Sequence, residues 1–280
     1  MKRLRHYNKS TAIVLSCFGS VVEQQRYVRL LEEAQAKYPN CEVRLAVTSR
    51  MVIKKLSKEG QIFEHLPSVL ASLDLEGYQR ILVVSCYLFP TDEHKQLVNV
   101  VEGFRQFSLS NIEHTPAIVH HTQLATSLLS AIDERFSQGS DINVYVHHGA
   151  PFLDNPGHQA ITYCGEFLST LSDKNICCSL EGAMPFHLIK TRLKHTMIES
   201  SARAKLRLIP LLLVSGNHFI NDMHRIKADF EEFCDVELAP SDDGSSFNLL
   251  SLPEVKEVIF KQIDQGLVRL RAPEQESLHG

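Results

Sequence analysis

Arg207-Leu-Ile-Pro-Leu-Leu-Leu-Val-Ser-Gly-Asn-His-Phe-Ile-Asn-Asp-Met223 is the stretch whose reading decides the fold. It opens on an apolar run, Leu208 to Val214, broken only by Pro210. A run of that length bounded by a Ser-Gly-Asn turn suits a strand buried on both faces of a parallel sheet. Polar residues follow at once, and Phe219, Ile220, Met223 and Ile226 recur at helical spacing, so a helix is expected from about Asn217. His218 then sits between the carboxyl end of a buried strand and the amino end of a helix. In open α/β sheets that edge is where ligands bind. The plainer reading, a helix cap with a packing histidine, stays open on this stretch alone.

The rest of the chain extends the pattern. Strands are expected at about Ala12–Cys17, Cys41–Val47, Arg80–Leu88, Ala117–His120, Asn143–His147, Ile176–Leu180 and Val236–Leu238, with helices between them. Thr48-Ser49 reads as the cap of a short helix through Leu56. Strands alternating with helices predict parallel sheets flanked by helices, an α/β fold. Gln138-Gly-Ser-Asp141 is the best linker. It divides the chain into an N-terminal lobe, 1–140, and a C-terminal lobe, 141–280, whose final helix is free to pack back on the first. Phe18-Gly19-Ser20 lies where His148-Gly149-Ala150 lies, and Glu93 answers His218 at a near-equal offset. The two lobes therefore read as a diverged duplication, facing each other across a cleft.

Composition narrows the function. The 280 residues carry a formal charge of −4, which gives no general nucleic-acid footprint. No apolar segment approaches the roughly 20 residues needed to span a bilayer, and Ala12–Leu15 is too short for a secretory core. Seven cysteines without a repeating pattern suit reduced thiols in a cytoplasmic protein. No nucleic-acid or membrane partner is expected. A homo-oligomer is left open.

His148, Glu181 and His218 fall at three successive strand ends of the second lobe. Two imidazoles and a carboxylate suit a borderline transition metal and leave coordination positions open. Strand neighbours alternate, so only one of His147 and His148 faces the cleft. His148 is preferred, because Gly149 beside it allows close approach of a ligand.

On these motifs the sequence resembles the anaerobic cobaltochelatases of the CbiK family, the class II chelatases that insert Co²⁺ into sirohydrochlorin. The matching stretches are Leu15-Ser-Cys-Phe-Gly-Ser20, Thr48-Ser-Arg-Met-Val-Ile-Lys-Lys-Leu56, His148-Gly-Ala150, Glu181-Gly-Ala-Met-Pro185 and Pro210 to Met223. The resemblance implies metal binding by His148, Glu181 and His218, which would also carry the catalysis. It implies tetrapyrrole binding by Phe18, Gly19 and Ser20, by Thr48, Ser49, Arg50 and Met51, and by Gly149 and Asn217. Glu93 joins them from the duplication. The family usually has Gly where this chain has His147, and Asp where it has Asn217. After Met223 it commonly has a run of acidic residues and a tryptophan, whereas this chain has His224-Arg-Ile-Lys-Ala-Asp229 there and no tryptophan anywhere.

The chemistry asks for a weakly held divalent metal and removal of two pyrrole protons. A neutral histidine can ligate metal or accept a proton, and Glu181 can stabilise the cation. Sirohydrochlorin is a polycarboxylate, so cations such as Arg50, Lys54 and Lys55 and helix N-termini suit the cleft rim. The metal is a substrate, Co²⁺ first, with Fe²⁺ and Ni²⁺ as alternatives, and no organic cofactor is expected. The competing readings are a ferrochelatase or nickel chelatase on sirohydrochlorin or a porphyrin, and a non-catalytic metal or tetrapyrrole carrier.

Overall fold

The computed structural model describes residues 6–182, 184–198, 203–240 and 247–271, without the side chains of 192, 196–198, 217 and 218. The chain runs β1 (Lys9–Cys17), α1 (Gln24–Lys37), β2 (Glu42–Val47), α2 (Arg50–Lys58), α3 (Leu66–Glu76), β3 (Tyr78–Ser85), α4 (Asp92–Arg105), β4 (Asn111–His114) and α5 (Thr122–Phe136). It continues with β5 (Ile142–Ala150), α6 (His158–Leu171), β6 (Asn175–Gly182), α7 (Phe186–Ile198), β7 (Lys205–Pro210), α8 (Asn217–Glu231), β8 (Asp235–Leu238) and α9 (Pro253–Arg271). Two four-stranded parallel sheets result, ordered β2-β1-β3-β4 and β6-β5-β7-β8. The strand order is the same in both, as expected of two similar lobes.

The central strands are apolar because helices cover both faces of each sheet. Ala12, Ile13, Val14 and Leu15 of β1 are fully buried, and each large side chain so buried contributes roughly 1.5–3 kcal/mol. Alternate residues serve different cores: Ile13 and Leu15 face α1 and α9, whereas Ala12 and Val14 face α3 and α4. In the second sheet Val144 and Val146 face α7 and α8. α2 starts where Ser49 Oγ accepts from the Val52 N–H at 3.3 Å. α4 starts with Asp92 and Glu93, acidic residues suited to a helix N-terminus.

The two halves exchange helices. α5 follows the first sheet but is tied to the second: Asp133 Oδ1 accepts from the Tyr145 hydroxyl at 2.5 Å and from Asn175 Nδ2 at 2.8 Å. α9 follows the second sheet but covers the first. Gln262 Nε2 donates to the Ala117 carbonyl at 3.2 Å, Lys256 pairs with Glu33 at 2.5 Å, and Gly266 lies against Leu82. One apolar cluster accordingly joins Leu15 and Leu82 to Tyr145, Ile209 and Ile259.

Three expected strands differ, the first being Arg80–Leu88, which stops early because β3 ends at Ser85. Ala117–His120 is not a strand; β4 lies just before it, at Asn111–His114, and Pro116 intervenes. Ile118 and Val119 are buried and still donate backbone N–H groups to Tyr87 and Leu88, beyond the end of β3. β7 ends at Pro210, although the apolar run continues to Val214. Leu211 and Leu213 are buried at the junction between the sheets, where Leu211 N–H still bonds the Val146 carbonyl and Leu213's carbonyl accepts from Leu250.

Candidate metal centre

The carboxyl-terminal edges of the two sheets face one another. Ser20 Oγ, after β1, donates to the Ser215 carbonyl, after β7, at 3.0 Å. Asn155 Nδ2, after β5, donates to Asp92 Oδ2, at the start of α4, at 2.8 Å. The Phe89 and His147 rings meet edge to face, with centroids 6.3 Å apart. These contacts bring the turns after β1, β3, β5 and β7 to one junction. The helices that follow, α1, α4, α6 and α8, open their N-termini along the same edges.

His148 lies near the end of β5 and Glu181 near the end of β6, on adjacent strands. Both side chains are exposed, and neither bonds another described residue. The register pairs Glu181 with Gly149, not with His148. Gly149 has φ +93° and Gly182 φ +85°, values that glycine adopts readily. A Cβ on Gly149 would sit 1.7 Å from the Glu181 carbonyl oxygen, and one on Gly182 would sit 1.9 Å from that of Ala150. Glycine at both places therefore lets the two strand ends stay in contact. His218 is the second residue of α8, which begins beyond the end of β7. The side chains of His218 and Asn217 lie outside the described residues. Among the described residues no group of three His, Cys, Asp or Glu side chains is set to hold a metal.

His147 contrasts with its neighbour. It is 5% exposed, and burial, followed by the charges of His148 and His158, lowers its pKa to about 4. It is neutral at pH 7 with its Nδ1 unpartnered. The residues expected at the first-lobe rim divide by role. Ser20 is buried; besides its bond to Ser215 its Oγ accepts from the Glu23 N–H at 3.0 Å, so it ties the two halves together. Gly19 has φ +92°, and a Cβ there would meet Val47 Cγ1 at 2.5 Å. Thr48 Oγ1 lies 3.2 Å from the Cys17 carbonyl and 2.7 Å from the Tyr87 hydroxyl, and Ser49 caps α2. Glu93 Oε2 accepts from Thr91 Oγ1 at 2.7 Å. Phe18, Arg50 and Met51 are exposed and remain free to meet a ligand.

The sequence reading did not anticipate the exposed apolar side chains beyond the second-sheet edge. Phe152, Leu153 and Met184 are 68%, 86% and 60% exposed. With Phe18 and Met51 they give both rims apolar surface. Phe152-Leu153 just past the end of a strand was the available signal, since large apolar residues in a polar turn mark a ligand surface.

The cobalt chelatase (CbiK) family model matches residues 11–235. A sirohydrochlorin cobaltochelatase of Salmonella typhimurium is 23% identical over 253 residues, 86% of each chain. Among solved structures, SirB from Bacillus subtilis with Fe³⁺ has a TM-score of 0.65 at 15% identity, covering 92% of this chain and 95% of that one. The cobalt complex of SirB from Bacillus subtilis subspecies spizizenii has a TM-score of 0.57 at 15% identity, with the same coverage. CbiX, described as the terminal enzyme of sirohaem biosynthesis in denitrifying bacteria, has a TM-score of 0.55 at 14% identity, covering 91% and 98%.

Proposed function

The chain belongs to the cobalt chelatase (CbiK) family, and on that premise we propose that it inserts a divalent metal, Co²⁺ first, into sirohydrochlorin at the carboxyl edge of the second sheet. The observation that carries the reading is the succession of His148, Glu181 and His218 on the ends of β5 and β6 and the start of the helix after β7. These strands are neighbours in the order β6-β5-β7. The metal is substrate. Two imidazoles and one carboxylate would bind it and leave positions for the incoming pyrrole nitrogens. A closed cage could not release it.

Each residue has a task in this scheme. His148 and His218 hold the ion and, once it passes to the macrocycle, accept the pyrrole protons. Glu181 balances the ion's charge and carries protons to solvent, to which it is exposed. The exposed side chains of Phe18, Met51, Phe152 and Met184 cover the apolar faces of the macrocycle. Arg50, Lys54 and Lys55 are exposed on α2 and form no ion pair among the described residues. They and the helix N-termini meet the substrate carboxylates. Gly149 and Asn217 border the ion, and Glu93 faces the second lobe from α4. No helix among the described residues is long and apolar enough to cross a membrane; the reading takes the protein as a cytoplasmic enzyme that needs no organic cofactor.

The test is metallation of sirohydrochlorin by the purified protein with Co²⁺, Fe²⁺ and Ni²⁺ in turn, followed by absorbance. Acceleration over the protein-free reaction, greatest with Co²⁺, supports the proposal. Tight metal binding without acceleration would leave a carrier.

A further inference from the structure

The turn after β5, Pro151-Phe-Leu-Asp-Asn-Pro156, reaches from the second sheet to the start of α4 in the first lobe. Asn155 ties it down. Its Nδ2 donates to Asp92 Oδ2 at 2.8 Å, across the junction between the sheets. Its Oδ1 accepts from the Gly157 N–H at 2.9 Å, and its own N–H donates to the Phe152 carbonyl at 3.1 Å. Gly157 is buried close to Thr91, the residue before α4: a Cβ on it would lie 2.7 Å from Thr91 Cγ2 and 3.2 Å from Thr91 Cα. The turn is thus pinned to the first lobe at two neighbouring points, and a proline at each end restricts its backbone further. Between β5 and these pins stand Phe152 and Leu153, both largely exposed.

A single hydrogen bond near the surface adds little to stability. Its larger effect is on placement, because a ligand binds more tightly to a surface that is already ordered. We propose that Asn155 is a positioning residue for the tetrapyrrole: its bond to Asp92 holds the turn so that Phe152 and Leu153 stand in place against the apolar face of the macrocycle. The proposal rests on the insertion reading, which supplies the macrocycle, and adds the bond that presents the apolar contacts to it. Neither Asn155 nor Asp92 is among the residues assigned to the ion. The bond therefore bears on affinity for the tetrapyrrole and not on affinity for the metal.

The experiment compares the full chain with Asn155→Asp and with the double variant Asn155→Asp, Asp92→Asn. It measures steady-state insertion of Co²⁺ into sirohydrochlorin, and binding of sirohydrochlorin alone. Asn155→Asp keeps an acceptor for the Gly157 N–H but sets two carboxylates together with no donor between them. The double variant exchanges donor and acceptor at unchanged net charge. Asn155→Asp should raise KM for sirohydrochlorin about two- to tenfold, the net worth of one hydrogen bond. Its kcat and Co²⁺ affinity should not change, and the double variant should return KM to that of the unaltered protein. A residue whose only task was the Gly157 bond would tolerate aspartate. Unchanged KM in Asn155→Asp, or a double variant as impaired as the single one, would therefore overturn the proposal; circular dichroism checks that both are folded. If the unaltered protein binds sirohydrochlorin without metallating it, and Asn155→Asp weakens that binding, the insertion reading fails and the positioning role stands. If it metallates with a KM indifferent to Asn155→Asp, the reverse holds. A protein that does not bind sirohydrochlorin at all refutes both.

Discussion

Gly149 of β5 is in register with Glu181 of β6, so close that a Cβ on Gly149 would fall 1.7 Å from the Glu181 carbonyl oxygen. His148 is one step out of phase with Glu181, and strand neighbours point to opposite faces. An ion shared by these two residues would therefore sit beyond the strand tips and not on either sheet face. That position is open to an incoming macrocycle. It also explains why both side chains are exposed.

Gly149→Ala should damage the site from its backbone outward. The residue has φ +93° and backbone within the reach of any Cβ, so the cost is at least about 2 kcal/mol. Gly139→Ala is the control: φ is +77°, with nothing within 4 Å. Urea denaturation should show a clearly larger loss for Gly149→Ala. Equal losses would mean that the strand ends are not pressed together as described.

The histidine pair tests the register of β5. His147 is buried against Phe89 and His148 is exposed. His147→Ala should cost about 1–3 kcal/mol through lost packing, and His148→Ala less than about 0.5 kcal/mol. Melting temperatures measure both. The reverse order would shift the strand by one residue.

His94 makes stability depend on pH. Burial, then the neighbouring His114 and His120, holds its pKa down to about 4, against an ordinary value of about 6.5 in the unfolded chain. Below about 6.5 the unfolded state takes up a proton that the folded state refuses. The contribution is thus complete above pH 6.5 and is lost as pH falls toward 4. His94→Gln should flatten this loss, although His147 keeps part of it. Denaturation midpoints at pH 7, 5.5 and 4.5 check this, and identical slopes in both proteins would contradict it.

The helix exchange predicts a remote effect. Gly266→Val in α9 would drive a Cβ toward Leu82 of β3, whose Cδ1 would lie 2.6 Å away. Overpacking of this kind costs about 1–3 kcal/mol. Hydrogen exchange should speed up in β1 and β3, which are far from residue 266 in sequence. Loss of protection confined to the second sheet would contradict the packing.

Much of this architecture was legible in the residues. Apolar runs such as Ala12–Cys17 and polar turns such as Ser215-Gly-Asn217 carry the α/β alternation locally, and Ser49 was readable as a cap because capping is local chemistry. Ala117–Val119 misled because burial alone mimics a strand, and these residues are buried just past β4. Leu211–Val214 misled for the same reason at the junction between the sheets. The packing of α5 on the second sheet is a tertiary fact, with no periodicity to announce it, whereas the final helix was already read as free to pack back on the first lobe. The candidate metal residues were legible as strand-end positions. Their phase was not, since it depends on the pairing of Gly149 with Glu181.

The most direct measurement of the central claim is the rate of Co²⁺ insertion into sirohydrochlorin by His218→Ala, compared with the unaltered protein at matched circular dichroism. The account predicts that the rate falls to that of the protein-free reaction while the fold persists. A variant that keeps the full rate and full Co²⁺ affinity would contradict it, and would leave His218 as no more than the second residue of α8.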